Sequence, residues 1–572
     1  MITSPDAGPL DEGVPADLGP DDAGSGDAMV PVEDLGSTED AGPDEPVDMG
    51  PPPPLRDPLF IDVSRVAGFA HDQDPNVPPT CTVLPGLCGE GWQTGGAAAG
   101  DVNGDGWPDL YFTVMNGVDR LYLNQRDGTF EDVSDEWGIT LSNSTSGVAM
   151  HDVDRDGDLD VYVNSYGGVR HYLYENIGEE RFVERGITYG ATPPARRYLQ
   201  GQSVGFGDFD GDAWPDLYSV EWLFDYFGTG VPPSETMLLR NELDATVPHF
   251  DDVTEAAGVT ADGWPTDHGQ VGTFGLTPVF TDLDDDGLQD LYVAADFGAS
   301  KLFWNEGDGT FFDGTDVAEV NLATNAMGVA VGDIDLDGDL DIYVTSIAWQ
   351  DEADKTFDDR GNRLYINQGE RRFTEESFAR GLSWGHWGWG VAFADLDHDG
   401  DPDVVSTSGY VARPDGRELY YENDGTAHFV ERGSEVGFGE FHEGRALVLL
   451  DYDRDGDSDV LVVRYDDAPI LYRNDLPRRT HWVRVRVLDE RGADALGARV
   501  VVRKGEKSWL QEVRASGVFN GSHEPWIDVG LGAVDGMPCE VEVDVTFPDG
   551  EFRTETVACD DWHVFRASPT PE

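Results

Sequence analysis

Basic residues are scarce in this chain of 572 residues: 37 Lys and Arg stand against 113 Asp and Glu, a formal charge of −76 at pH 7. A surface of that sign repels phosphate, which excludes nucleic acid as a partner. No run of roughly eighteen consecutive apolar residues occurs, so no transmembrane helix is expected. His-Glu-x-x-His, Cys-x-x-Cys and a phosphate-binding Gly-rich loop ahead of a helix are also missing, which removes the zinc-hydrolase, dithiol-redox and P-loop classes.

Cysteine is nearly absent, and the four present fall in two local pairs. Cys81 and Cys88 share one loop. Cys539 and Cys559 flank 541–547 and 551–557, which read as a hairpin turning at Pro548-Asp549-Gly550. With Phe547 opposite Glu551, counting back places Cys539 opposite Cys559, at a separation a disulfide accepts. Both pairs are expected to be oxidised, which points to an oxidising compartment where calcium is plentiful.

What is abundant is aspartate, in one phrase repeated seven times: Asp-x-Asp/Asn-x-Asp-Gly-x-x-Asp. Its oxygen donors at positions 1, 3, 5 and 9 are Asp101, Asn103, Asp105 and Asp109 in the first loop and Asp152, Asp154, Asp156 and Asp160 in the second. Asp208, Asp210, Asp212 and Asp216 form the third set, Asp282, Asp284, Asp286 and Asp290 the fourth, and Asp333, Asp335, Asp337 and Asp341 the fifth. Asp395, Asp397, Asp399 and Asp403 form the sixth, and Asp451, Asp453, Asp455 and Asp459 the seventh. Hard oxygens converging from one tight turn suit calcium, so up to seven ions are expected. An EF-hand would need a Glu at position 12 and flanking helices; here position 12 is Phe112, Val163, Ser219, Val293, Val344, Ser406 or Val462, inside strand-like sequence. Position 6 is glycine except in the third loop, where Ala213 predicts the weakest site.

Residues 1–58 carry fifteen acidic side chains and one basic one, are rich in Pro, Gly and Ala, and end near Pro51-Pro52-Pro53-Pro54. Such a segment reads as a disordered acidic stalk. A stalk implies a tether, and an export or lipid-anchor signal ahead of Met1 is expected in the natural product. Beyond it, each Asp loop sits in a four-strand repeat. In the second copy the strands are 147–150, 159–163, 171–176 and 181–184. The seventh copy stops one strand short, and the orphan strand at 59–64 supplies the remainder. The expected fold is all-β: a seven-bladed propeller over 59–478, closed by that displaced strand, a small β-sandwich-like domain over 479–562, and a tail over 563–572.

These residues resemble a known family. Gly-Asp-Phe-Asp-Gly-Asp at 207–212, Gly-Asp-Ile-Asp-Leu-Asp-Gly-Asp at 332–339 and Asn-Glu-Gly-Asp-Gly-Thr-Phe at 305–311 are similar to FG-GAP/VCBS repeats of the integrin-α-like propeller type. His481-Trp482-Val483-Arg484-Val485, Gly497-Ala498-Arg499-Val500, Ser516-Gly517, Val529-Gly530-Leu531-Gly532 and Phe547-Pro548-Asp549-Gly550 resemble the ASPIC/UnbV domain. The pairing resembles the cartilage acidic protein-like family, which implies extracellular calcium-binding modules and no agreed catalytic activity.

In an up-and-down blade the Asp loops share one face. The long insertions at 221–237, 258–273, 347–362 and 381–389 gather on the opposite face and carry Trp222, Trp264, Trp349, Trp384, His386, Trp387 and Trp389. Aromatics on long loops above a rigid scaffold suit recognition. The expected function is an extracellular calcium-binding adhesion or ligand-recognition protein. Its partner would be a protein or glycan at a cell surface or in the extracellular matrix. The rival is a carbohydrate-active propeller enzyme, a lyase or hydrolase using His386, His442 and Arg445 at a channel mouth. Gly201-Gln202-Ser203-Val204-Gly205 matches a nucleophile elbow, but it leads into an Asp loop where that motif needs a helix.

Overall fold

Short runs of β-branched and aromatic residues follow every Asp loop, and in the computed structural model each becomes the second strand of an antiparallel meander. The structure describes residues 60–69, 71, 95–166, 170–192, 199–224, 236–244, 247–261, 272–348, 361–410, 416–439, 441–465, 467–475, 480–532 and 539–569. The expected stalk at 1–58, the Cys81–Cys88 pair, Trp264 and Trp349 lie outside them. The described residues belong to one compact unit, Leu55–Glu572. Their regular structure is mostly strand, with 49% strand and 6% helix.

Each Asp loop joins the first and second strands of its sheet. The first strands are Ala97–Gly100, Thr145–His151, Gly201–Gly207, Gly272–Thr281, Val329–Gly332, Gly388–Ala394 and Gly444–Leu450. Each touches the first strand of the sheet before and after it, and Ala97–Gly100 touches Gly444–Leu450, so the cycle closes and the fold is propeller-like. Because each sheet is packed on both faces, second strands such as Val161-Tyr162-Val163 are buried without alternation. One apolar cluster joins Ala97, Leu110 and Phe112 of the first sheet to Val448, Leu461 and Val463 of the seventh. The strand Phe60–Asp62 forms the outer edge of the seventh sheet, with Phe60 opposite Asn474 and Asp62 opposite Tyr472.

Two features depart from a regular meander. The second strand of the third sheet, Asp216–Phe224, runs on to pair with the fourth sheet, Trp222 facing Phe274. One-turn helices such as Ser64–Ala67, Thr254–Ala257 and Ser377–Arg380 follow fourth strands, too short to leave a helical period in the sequence.

The C-terminal part has two sheets around one core. Val483, Val485 and Phe565 of the three-stranded sheet meet Val500, Val502, Val541 and Val543 of the four-stranded one. Its last strand, Trp562–Arg566, pairs in parallel with His481–Leu488 and so extends into the segment read as a tail. Cys539 and Cys559 are disulfide-bonded with Cα atoms 5.4 Å apart, in the register counted from the hairpin turn. Between its two sheets this part sends residues 514–524 inside the cycle of first strands. There Ala515 O accepts from Phe206 N, Gly517 N donates to Pro278 O, Asn520 N donates to Ser203 Oγ and Gly521 pairs with Ala97. Ser203 of the elbow-like pentapeptide is thus a buried structural acceptor.

Candidate metal centres

The seven loops share one backbone device. The residue at position 6 has a left-handed φ in every copy, from 68° at Ala213 to 103° at Gly157. Glycine adopts this freely, whereas a residue with a Cβ does so at a cost of roughly 1–2 kcal/mol. Ala213→Gly is therefore expected to stabilise the protein by about 1 kcal/mol, read as a rise in the urea midpoint. An unchanged midpoint would show that the third loop carries no such strain.

Within a loop, the position-1 carboxylate accepts from the amides of positions 5 and 6, as Asp152 does from Asp156 N at 3.1 Å and Gly157 N at 2.9 Å. The position-9 carboxylate spans the turn: Asp160 Oδ2 accepts from Val153 N at 2.9 Å and Oδ1 from Asn176 N at 2.7 Å. Oxygens from positions 1, 3 and 9 come within 4.8 Å of one another in the second to fifth loops, and those of Asp395, Asp397 and Asp399 do so in the sixth.

Whether these sets fit a cation is decided by the oxygens left over. Asp154, Asp284, Asp335 and Asp453 at position 3, and Asp208 and Asp395 at position 1, each bury Oδ1 with no hydrogen-bond partner. Such an oxygen destabilises the fold unless something positive meets it. Burial, and after it the charges of Asp156 and Asp152, pushes Asp154 up to about 7. Burial pushes Asp333 up to about 7 and Asp341 to about 8. An all-oxygen donor set of this density would suit a hard divalent cation, with positions 1, 3 and 9 close enough to share one ion in the second to fifth loops. In the first loop Asn103 Oδ1 instead accepts from Asp105 N at 2.9 Å, so that loop offers one charge fewer.

The sequence reading missed the asparagine at or near the end of each third strand. Its amide nitrogen reaches the position-2 carbonyl of the preceding loop: Asn176 to Val102 at 2.9 Å, Asn241 to Val153 at 2.9 Å, Asn305 to Phe209 at 2.7 Å and Asn367 to Leu283 at 2.9 Å. Asn474 reaches Leu396, and Asn124 reaches Tyr452 at 2.8 Å across the closure. Asn423 departs, donating to Pro402 of its own loop. The signal was the recurrent Asn itself, since a buried amide at the end of a strand needs partners.

The described aromatics on the loops away from the Asp turns divide by burial. Trp222 and Trp389, expected to face a ligand, are core residues: Trp222 Nε1 donates to Asp296, and Trp389 packs on Phe519 with ring centres 5.2 Å apart. Trp384 is exposed, His386 meets it edge-on at 5.4 Å, and half-buried Trp387 stacks on Tyr410 at 4.1 Å. Arg445 is fully buried between Trp389 and Tyr465, 4.6 and 5.0 Å from their ring centres, and donates to Gly409 O and Gly444 O. That geometry assigns Arg445 to packing. His442 lies with Nδ1 3.3 Å from Arg464.

The model of the FG-GAP-like repeat matches residues 101–163, 152–219, 282–344 and 353–406, and the model described as ASPIC and UnbV matches 489–565. The chain carries FG-GAP-like repeats and an ASPIC and UnbV domain. Mouse cartilage acidic protein 1 is 25% identical over 487 residues, 73% of this chain and 72% of the relative. The human protein of that name is 24% identical over 483 residues, 72% of this chain and 70% of the relative. Among solved structures, an Agrocybe aegerita lectin recognising non-reducing terminal N-acetylglucosamine is similar with a TM-score of 0.37 and 15% identity, covering 66% of this chain and 94% of the lectin. The seventh Asp loop lies outside the FG-GAP matches, yet Asp451 and Asp459 repeat the same hydrogen bonds.

Proposed function

We propose that this FG-GAP repeat protein is an extracellular calcium-binding recognition protein, a seven-bladed propeller over 59–478 in which calcium is structural, followed by a β domain from 479 to the end of the strand Trp562–Arg566. The observation that carries the reading is the buried, partnerless carboxylate oxygen that recurs once in each loop from the second to the seventh. Calcium at those points neutralises the clustered charge and ties strand ends together, making folding depend on the external ion. The Cys539–Cys559 disulfide fits an oxidising, calcium-rich compartment. No helix among the described residues is long and apolar enough to cross a membrane.

Recognition falls to the loops away from the Asp turns, where Trp384, His386, Trp387 and Tyr410 form an aromatic surface. Flat, partly exposed rings suit the apolar face of a sugar or a protein anchor. Glycan-array binding by the intact protein, repeated with Trp384→Ala, tests this. The expected result is retention without turnover, weakened by at least roughly tenfold in the variant at unchanged calcium-dependent melting, as for loss of one aromatic anchor. Equal loss of binding and melting temperature would reduce Trp384 to packing, and turnover of a retained glycan would favour the enzyme reading.

A further inference from the structure

Position 4 of the Asp loops contributes no expected ligand, yet it is left-handed in all seven: φ is 71° at Gly104, 58° at Arg155, 73° at Gly211, 62° at Asp285, 58° at Leu336, 53° at His398 and 57° at Arg454. That region disfavours residues with a Cβ, Asp and His less than most, so two glycines are unremarkable while Arg155, Leu336 and Arg454 above all need a reason. All five non-glycine residues touch the C-terminal domain. Arg155 Nε donates to Asp489 Oδ2 at 2.8 Å, Asp285 pairs with Arg499, and Leu336 packs on that domain's apolar core. His398 places Nε2 3.6 Å from Asp528 and accepts from Gly532 N through its carbonyl at 2.9 Å, while Arg454 pairs with Glu524 at 2.6 Å. At Gly104 and Gly211 an added Cβ would meet nothing within 4 Å, and a cavity of about 280 Å³ opens between the third loop and residues 489–496.

The contact continues on the loops' own functional residues. Arg484 Nη1 lies 2.8 Å from Asp451 Oδ2 with both side chains buried, and Arg499 Nη1 lies 3.3 Å from Asp282 Oδ2. Trp509 Nε1 donates to Gly400 O at 2.7 Å, and a Cβ on Gly456 would collide with Trp482. A Cβ on Gly530 would likewise collide with the carboxylate of Asp395. Residues 514–524 complete the seat by bonding to first strands inside the cycle, including Phe280 N to Ser516 Oγ at 3.0 Å and Glu524 N to Leu449 O at 3.1 Å.

We propose that the position-4 side chains of the Asp loops are the docking code for the chain's own C-terminal domain, and that cation binding at the loops is linked to that docking. The fourth residue lies between the carboxylates of positions 3 and 5. Whatever draws those two together fixes its direction, so one loop conformation serves the ion on one side and the domain on the other. Arg484 and Arg499 repel an ion at Asp451 and Asp282, so the coupling is positive only through the shared loop conformation; by linkage, the docked domain then favours the cation as much as the cation favours the docked domain. The docked domain contacts five of the seven Asp loops and sends residues 514–524 inside the cycle, so a partner meets the opposite side. The linkage, though not the docking, rests on the metal reading above.

Hydrogen exchange of the amides of 514–524 in the full chain, with calcium and with EGTA, tests both. Arg155→Glu and Asp285→Lys each reverse one docking charge and should speed exchange there by roughly tenfold in calcium, as expected for local opening, while second strands stay protected. Combining Arg155→Glu with Asp489→Arg should restore protection. EGTA on the unaltered protein should speed exchange of the same segment before the sheets. Protection indifferent to both single reversals overturns the docking code. Calcium uptake by calorimetry with identical exchange in calcium and EGTA overturns the linkage. No uptake, with reversals that still loosen the segment, defeats the metal reading and leaves the docking code standing.

Discussion

Chelation with EGTA is expected to lower the melting temperature of the intact protein by on the order of 10–20 °C. An ion present at a hundredfold excess over its dissociation constant stabilises the folded state by about 2.7 kcal/mol. Three occupied loops would thus supply about 8 kcal/mol, comparable to the whole net stability of about 5–15 kcal/mol typical of folded proteins. Asp156→Ala isolates one site. The carboxylate lies in the second loop beside the partnerless Asp154 Oδ1, and its own Oδ1 accepts only an exposed bond from Asp158 N at 3.0 Å. Its removal should cost about 2–3 kcal/mol in calcium and almost nothing in EGTA, where losing a charge also relieves repulsion within the cluster. Equal loss in both media would mean that Asp156 acts through the turn and not through an ion.

Phe60→Ala is expected to cost about 3–5 kcal/mol, the usual range for emptying a buried aromatic site. Phe60 is 2% exposed, and its ring lies 5.1 Å from Phe438 and 6.0 Å from Tyr420. The larger effect follows from topology. The strand Phe60–Asp62 covers Ile470–Asn474, and releasing it bares an edge on which another chain can pair. Urea unfolding should therefore shift to lower midpoint while light scattering rises near the transition. Ile61→Ala, at a position 37% exposed, should change neither by much. If Phe60→Ala matches Ile61→Ala, the displaced strand does not hold the seventh sheet.

Local features were legible in the sequence because their geometry is set within a few residues. The loop spacing put Asp152, Asp154 and Asp160 at one point, and counting from Pro548-Asp549-Gly550 gave the register of Cys539 and Cys559. The displaced strand at Phe60 could be deduced because the seventh copy lacks its fourth strand, a deficit visible in the text of the repeat. Contacts set by tertiary packing were not legible. Asn176 reads as an ordinary strand end until the neighbouring loop supplies the Val102 carbonyl, 74 residues away. The variable fourth residue looks like filler until the C-terminal domain is seated on it. Tryptophan is ambiguous by nature: its large apolar face serves a ligand or a core equally, and the packing of Trp389 on Phe519 depends on a segment from the far end of the chain.

The stoichiometry of bound calcium, counted on the intact protein by equilibrium dialysis from metal-free buffer, bears most directly on the loops as cation cages. The expected count approaches one ion for each of the second to seventh loops and falls by one in Asp156→Ala. A protein that binds no calcium, or binds the same number after Asp156→Ala, would contradict it.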